Sequence, residues 1–246
     1  MLIIVAPKKD FDPVEIDRLD EFFDKGGKVQ LILNPEADKT PNLDAYLKEW
    51  GVTSYDNGYI YETDKDRYVS YPTSIIPTVV ESDATKNIVD RNSMIIYQNA
   101  AGIKTEEAHG VEVTDLLVTT KGAYLDENSL LGGDDDAKEV KGPFALATIL
   151  TRANVNATPR FMIMGGIGIF PAFSTATYGN QDFYYNMISY MNGDEDSVYI
   201  RPKDITPTFM AMPMSHAISW AGITIVLLPL IILIAGLVIW GKRRHL

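Results

Sequence analysis

Cysteine is absent from the 246 residues, which removes thiol nucleophiles, disulfides and thiolate metal sites in one step. It does not assign a compartment, because cytosolic and extracytoplasmic proteins can both lack it. Histidine occurs only as His109, His216 and His245, the last two near the C-terminus, so a multi-histidine metal centre is not expected. Basic residues are also outnumbered, 22 against 33 acidic, for a formal net charge of −11. Setting aside Lys242, Arg243 and Arg244 leaves 19 basic against 33 acidic, or −14 for everything before the tail. Such a surface repels phosphates and anionic headgroups, so a nucleic acid partner is not expected. No GxxxxGK[ST] loop and no GxSxG elbow occurs, which removes nucleotide hydrolysis by the first route and α/β-type serine hydrolysis by the second.

What the chain does have is one long apolar run. Trp220 to Trp240 reads WAGITIVLLPLIILIAGLVIW, without a charge, and Gly241, Lys242, Arg243 and Arg244 follow at once. At about 1.5 Å per residue this covers the roughly 30 Å of a bilayer's hydrocarbon core. The two tryptophans suit the headgroup boundaries, and the basic cluster suits a cytoplasmic anchor. Pro229 in mid-span would cost a soluble helix about 3 kcal/mol, whereas membrane helices tolerate it. The expectation is a transmembrane helix over 217–241 with a basic tail at 242–246. Gly222, Ala235 and Gly236 are candidate helix-packing positions, since small residues let backbones approach in lipid.

Lys/Arg bias places the C-terminus in the cytoplasm and the acidic domain outside the plasma membrane. Met1-Leu2-Ile3-Ile4-Val5-Ala6 offers no basic n-region and too short an apolar run for an export signal, so a further N-terminal portion is expected. The rival arrangement is a tail anchor with the domain in the cytoplasm.

The rest reads as one α/β domain over 1–203 joined by a polar stalk at 204–216. Leu2-Ala6 has the continuous apolar character of a strand covered on both faces. A helix follows, with Asp12 at the N-cap, Pro13 at N1, Glu15 at N3, a Phe11/Ile16 staple and Gly26 as the stop. Val29-Leu33 is a second buried strand. Thr40-Pro41 opens a second helix that turns Leu43, Leu47 and Trp50 inward and ends at Gly51. This alternation predicts a largely parallel, flavodoxin- or amidotransferase-like sheet with right-handed crossovers. Residues 55–125 read as a β-rich insertion, with a hairpin between Tyr59-Tyr61 and Arg67-Tyr71 and short strands at Ile75-Val80, Met94-Tyr97 and Asp115-Thr119. A helix is predicted from Pro143, with Leu146, Ile149 and Leu150 inward. A strand is predicted at Arg160-Gly165, and a helix over Phe183-Met191 capped by Asn180 or Asp182 and closed by Gly193.

No constellation in the sequence demands catalysis, a cofactor or a metal. Gly165-Gly166-Ile167-Gly168 follows a strand, but Ile169-Phe170-Pro171 comes next instead of a helix that could meet a pyrophosphate, so a flexible strand end is the expectation. Asp134-Asp135-Asp136 are hard oxygen ligands by chemistry, yet three consecutive acids diverge and the EF-hand spacing is missing, which favours a solvated loop. Asn156-Ala157-Thr158 is formally a glycosylation sequon, followed by proline. The tyrosines around Tyr59-Tyr71 and Tyr184-Tyr190 suit sheet and core packing better than a binding surface.

A family likeness emerges from the order of several short motifs. Asn180-Gln181-Asp182-Phe183, Asn186, Tyr190-Met191-Asn192-Gly193-Asp194-Glu195-Asp196 and Ile200-Arg201-Pro202-Lys203, then a single membrane helix, resemble the auxiliary membrane proteins of gliding-motility-type ABC transport systems. Leu2-Ile3-Ile4-Val5, Pro7-Lys8-Lys9-Asp10, Gly26-Gly27-Lys28 and Asn34-Pro35 are similar to the same family, as are Asp115-Leu116-Leu117-Val118-Thr119-Thr120 and Gly142-Pro143-Phe144. The resemblance implies a glutamine-amidotransferase-like extracytoplasmic domain without catalysis, carried beside an ABC permease and ATPase. The chain departs from the family at Gly165-Gly168, where relatives are more polar or acidic. The expected function is therefore a non-enzymatic accessory subunit; a membrane-anchored carboxylate-dependent hydrolase or transferase and a tethered solute-binding domain are the alternatives.

Overall fold

The computed structural model describes the chain except Asp38 and residues 56–57, 90–93, 127–138, 153–157, 175–177, 194–212 and 245–246. The described elements are β1 (Leu2–Val5), α1 (Pro13–Asp24), β2 (Lys28–Ile32), α2 (Pro41–Glu49), β3 (Val52–Tyr55), β4 (Tyr59–Tyr61), β5 (Ser74–Ile75), β6 (Thr78–Val79), α3 (Lys86–Val89), β7 (Tyr97–Gln98), β8 (Gly102–Thr105), β9 (Val111–Val118), β10 (Tyr124–Asp126), β11 (Glu139–Lys141), β12 (Ala145–Arg152), β13 (Arg160–Met164), α4 (Asn180–Asn192), α5 (Met214–Ala221) and α6 (Leu228–Arg244).

The two N-terminal helices form where their end signals place them. In α1 the Asp12 backbone N–H donates to the Glu15 carboxylate at 2.8 Å, the reciprocal half of a capping box. The helix stops where Gly26 takes φ 78° and the Gly26 and Gly27 N–H groups donate to Phe23 and Phe22 carbonyls, each at 2.8 Å. In α2 Pro41 follows the Thr40 N-cap, and Gly51 at φ 75° turns the chain into β3.

The sheet overturns the expected topology. Eight strands run in the order β1-β2-β13-β12-β8-β3, with β9 alongside β12 and β6 on β9. Among the described strands only β1 with β2 and β2 with β13 pair in parallel. The β13–β12, β12–β9, β12–β8, β8–β3 and β6–β9 pairs are antiparallel. The fold is mixed α/β, and neither the largely parallel sheet nor the flavodoxin- or amidotransferase-like architecture holds.

Much of the difference lies in β12, which the Leu146/Ile149/Leu150 spacing suggested as a helix. Ala145 to Leu150 is buried without a break, and such a run carries no periodicity to separate a covered strand from a buried helix. The β-branched Thr148, Ile149 and Thr151 favour the strand. Nor is 55–125 an insertion set apart from the sheet, since β6, β8 and β9 belong to it. The expected 59–71 hairpin does not form: β4 pairs with β10, and Tyr68 bridges Ile75. Strand β1 lies at the sheet's edge with Leu2, Ile3 and Val5 exposed, so it is not covered on both faces.

Alternation along the central strands builds two cores. Val29, Leu31, Phe161 and Ile163 face α1 and α2, whereas Ile32, Met162 and Met164 join Phe183, Met187 and Met191 of α4 on the other side. Phe23, Trp50 and Phe161 meet with ring centroids 4.6, 5.1 and 5.5 Å apart, and the Arg152 guanidinium lies 4.0 Å from the Trp50 ring. Lys28 Nζ donates to the Asn192 carbonyl at 2.6 Å and Arg160 donates to the Tyr190 carbonyl, so two central strands supply cations to the C-terminus of α4. A second sheet, β11-β10-β4, is tied in by Glu62. That carboxylate, 2 % exposed, accepts from Thr63 N, Asp64 N, Thr120 N and Thr120 Oγ1 at 2.6 to 3.2 Å. Four donors on one buried carboxylate offset its desolvation.

Residues Met214–Lys242 form one 29-residue helix, long and apolar enough to cross a membrane, with none of its apolar stretch buried against the domain. Residues Gly222–Leu227 within it are a π-type turn, and the Leu228 N–H reaches back five residues to the Ile223 carbonyl. Proline has no N–H for the carbonyl four residues back and crowds it. A widened turn directly before Pro229 relieves that conflict.

The aromatic trio yields a test. Phe161→Ala should lower the unfolding free energy by about 3–5 kcal/mol, measured as a shifted urea midpoint of the domain's near-ultraviolet signal.

Candidate functional site

A cleft of about 740 Å³ opens where several chain segments leave the sheet. Val5 ends β1, and Asn34, Pro35 and Glu36 follow β2. Ile167, Gly168, Phe170 and Pro171 belong to a 3-10 segment, Ile167–Ser174, after β13. Gln98 ends β7 and Asn99 follows it, and Tyr59 opens β4. In sheets with parallel strands, ligands commonly bind beyond the carboxyl ends of those strands.

Local backbone geometry shapes each wall. The Asn34 Oδ1 accepts from the Glu36 N–H at 3.1 Å, an Asx turn that carries the chain away from β2. Ala6 and Asn99 hold φ of 44° and 48°, a left-handed conformation that L-residues seldom adopt and that recurs at ligand sites. The glycine string is neither a phosphate loop nor a flexible strand end. The Ala101 N–H donates to the Gly165 carbonyl at 2.6 Å and the Tyr97 hydroxyl to the Gly166 carbonyl at 2.7 Å. A Cβ at Gly168 would stand 1.5 Å from the Gln98 carbonyl oxygen, and one at Gly165 2.5 Å from that of Ala101. Two backbones therefore touch here, and only glycine permits it.

Polar groups in the cleft are few and uneven. The Tyr59 hydroxyl donates to Glu36, and its phenol is pushed up to about 12, first by burial and then by the carboxylate it faces. Gln98 and Asn99 make no side-chain hydrogen bond to the described residues. Among the described lining residues Glu36 carries the only charge, and none is basic. A smaller hollow of about 270 Å³ adjoins the cleft and shares Gln98 and Pro171 with it.

Of the residues singled out in the sequence, none of the membrane-segment positions lines the cleft. Trp220 is the penultimate residue of α5, Gly222 opens the π turn, and Pro229, Ala235, Gly236, Trp240, Lys242, Arg243 and Arg244 lie in α6. The Arg244 guanidinium lies 5.3 Å from the Trp240 ring. Beyond the local helix backbone, nothing would come within 4 Å of a Cβ at Gly222 or Gly236. Asn180 is no cap: its side chain is buried and pairs with the Ile96 N–H, the Ile96 carbonyl and the Ile169 carbonyl at 2.6 to 3.0 Å. Asp134-Asp136, Asn156-Ala157, Asp194-Asp196 and Ile200-Lys203 lie outside the described residues. Among the described residues no three His, Asp or Glu side chains gather as a metal site. The cleft itself escaped the sequence reading, though Asn34-Pro35 and the glycine string both mark strand exits.

No protein-family model and no curated protein matches the chain. Among solved structures, the mmIFT52 N-terminal domain is similar, with a TM-score of 0.53 and 13 % identity over 82 % of this chain and 79 % of that one. At that identity the likeness shows the fold alone. It indicates no catalytic family.

Two measurements follow. Gly168→Ala should destabilise the domain by more than the roughly 1 kcal/mol that a bare Gly-to-Ala conformational change involves, because the Gln98 backbone has to move; the thermal midpoint reads this directly. The second concerns alkaline pH. Burial pushes the Tyr97 phenol above its ordinary value of 10.0. From about pH 10 upward the unfolded phenol has lost a proton that the folded one keeps, so stability present below that pH falls as pH rises. Tyr97→Phe should flatten this fall, at a cost near neutrality of about 1–3 kcal/mol for the unpaired Gly166 carbonyl.

Proposed function

We infer that the chain is a single-pass, non-enzymatic accessory subunit of an ABC-type transport system. Its α/β domain stands outside the plasma membrane and its basic tail lies in the cytoplasm. The observation that supports this reading is the helix Met214–Lys242, long and apolar enough to cross a membrane and with its apolar stretch unburied. A helix whose apolar stretch is not buried against its own domain has that surface free for lipid or for other helices. The ordered series of motifs shared with gliding-motility-type auxiliary proteins supplies the partner class, an ABC permease and its ATPase.

In this reading Trp220 and Trp240 mark the two headgroup levels, and Lys242, Arg243 and Arg244 hold the inner end. Gly222 and the Ala235-Gly236 pair give close-approach points about 20 Å apart along the axis, one toward each end of the span. The domain then serves as a rigid element beside the permease's outer face.

Pull-down of the tagged full chain from mild detergent should recover a permease and an ATPase, and recovery of neither counts against the complex. Protease added to intact spheroplasts should digest the domain; its survival would place the domain on the cytoplasmic side.

A further inference from the structure

We propose that the strand-exit cleft is a docking groove for an extended polypeptide segment of apolar residues carrying a central basic side chain. This goes beyond the transport reading and does not rest on it.

The shape argues for an extended occupant. The larger cleft and the 270 Å³ hollow share Gln98 and Pro171 in their linings, so the two lie next to each other on either side of those residues. The hollow's lining also includes Ser70, held at φ 63°, and the exposed Tyr71. A compact ligand would fill one part and leave the other wet, whereas an extended chain spans both.

The chemistry narrows the class. Gln98, at the shared point, and Asn99 beside it have carboxamides without protein partners among the described residues. A carboxamide offers a donor and an acceptor together, which matches the alternating N–H and C=O groups of a peptide backbone. Val5, Ile167 and Phe170 give apolar surface for side chains, with Val5 58 % and Ile167 54 % exposed. Glu36 is the only charge among the described lining residues, and Tyr59 hands it a proton donor that orients it. An anionic ligand would find no cation here, whereas a Lys or Arg side chain finds a carboxylate ready. Sugars fit less well, because they need a denser set of polar groups than these walls supply.

The test uses the full chain in lipid nanodiscs, with empty nanodiscs as blank, and fluorescence anisotropy of labelled, end-blocked five-residue peptide pools. The flanking positions are drawn from Val, Leu, Phe and Pro, and the centre is Lys, Ser or Glu. The Lys pool should bind saturably and about tenfold tighter than the Glu pool, as for a charge-assisted contact of ordinary strength. Glu36→Gln should erase the Lys-over-Glu preference, and Gln98→Ala should weaken all three pools alike. Both side chains stand outside the cores, and unchanged thermal midpoints would show that the variants fold. Any of three results overturns the proposal: no saturable binding above the blank, equal binding of the Lys and Glu pools, or a preference that survives Glu36→Gln. Displacement of the Lys pool by maltotriose would likewise overturn it in favour of a carbohydrate site. None of these results bears on recovery of a permease and ATPase, so the two readings fail separately.

Discussion

The parallel pairing of β2 with β13 is the constraint from which the rest of the architecture follows. Arg160 to Met164 lies against Lys28 to Ile32 in register, joining segments more than 130 residues apart in sequence. Both strands are buried on both faces, so each alternate residue commits to one of two cores. Phe161 and Ile163 reach Phe23 and Trp50 on the side of α1 and α2; Met162 and Met164 reach α4 on the other. A slip of one residue would exchange these sets and strand both helical layers at once. The same pairing brings the two strands' carboxyl ends side by side, which makes Asn34-Pro35-Glu36 and Ile167-Gly168 opposite walls of one cleft.

Loop-closure entropy for a contact of that span is repaid only when both layers dock. The glycines after β13 belong to this economy of space. Had Gly168 carried a Cβ, the 98–101 backbone could not lie where it does, and Tyr97 would lose its carbonyl partner at Gly166. Strain at Asn99 and Ala6 is held by the same packing. The cleft is thus a by-product of close backbone contact, with its shape fixed by main chain more than by mobile side chains, and that suits a groove reading another main chain.

What the sequence made legible was local. Helix α1 was visible because Asp12, Pro13, Glu15 and Gly26 each act within one turn, and α2 because Pro41 and Gly51 do the same. The stop at Gly193 and the apolar helix were visible for the same reason. Strand direction was not visible, because it is decided by partners far along the chain. The run Ala145-Leu150 is apolar on both faces, so no period separates strand from helix, and taking it for a helix removed the antiparallel strand that makes the sheet mixed. Tyr59-Tyr61 and Arg67-Tyr71 looked like a hairpin by proximity, yet β4 takes its partner from β10, over sixty residues on. Of the candidate site, the strand exits could be read, but the convergence of Tyr59, Gln98 and Glu36 could not, since three separate chain reversals produce it.

The helix and the domain obey opposite rules. In the domain almost every large apolar side chain on the central strands is withdrawn from water, and a buried carboxylate such as Glu62 needs four donors. Along Met214–Lys242 the apolar stretch is not buried against the domain, and Pro229 is preceded by a widened turn whose one hydroxyl, on Thr224, donates to the Trp220 carbonyl within the helix. A chain that met water on both parts would hide the second as it hides the first. That contrast is the physical reason the helix stands as a segment long and apolar enough to cross a membrane.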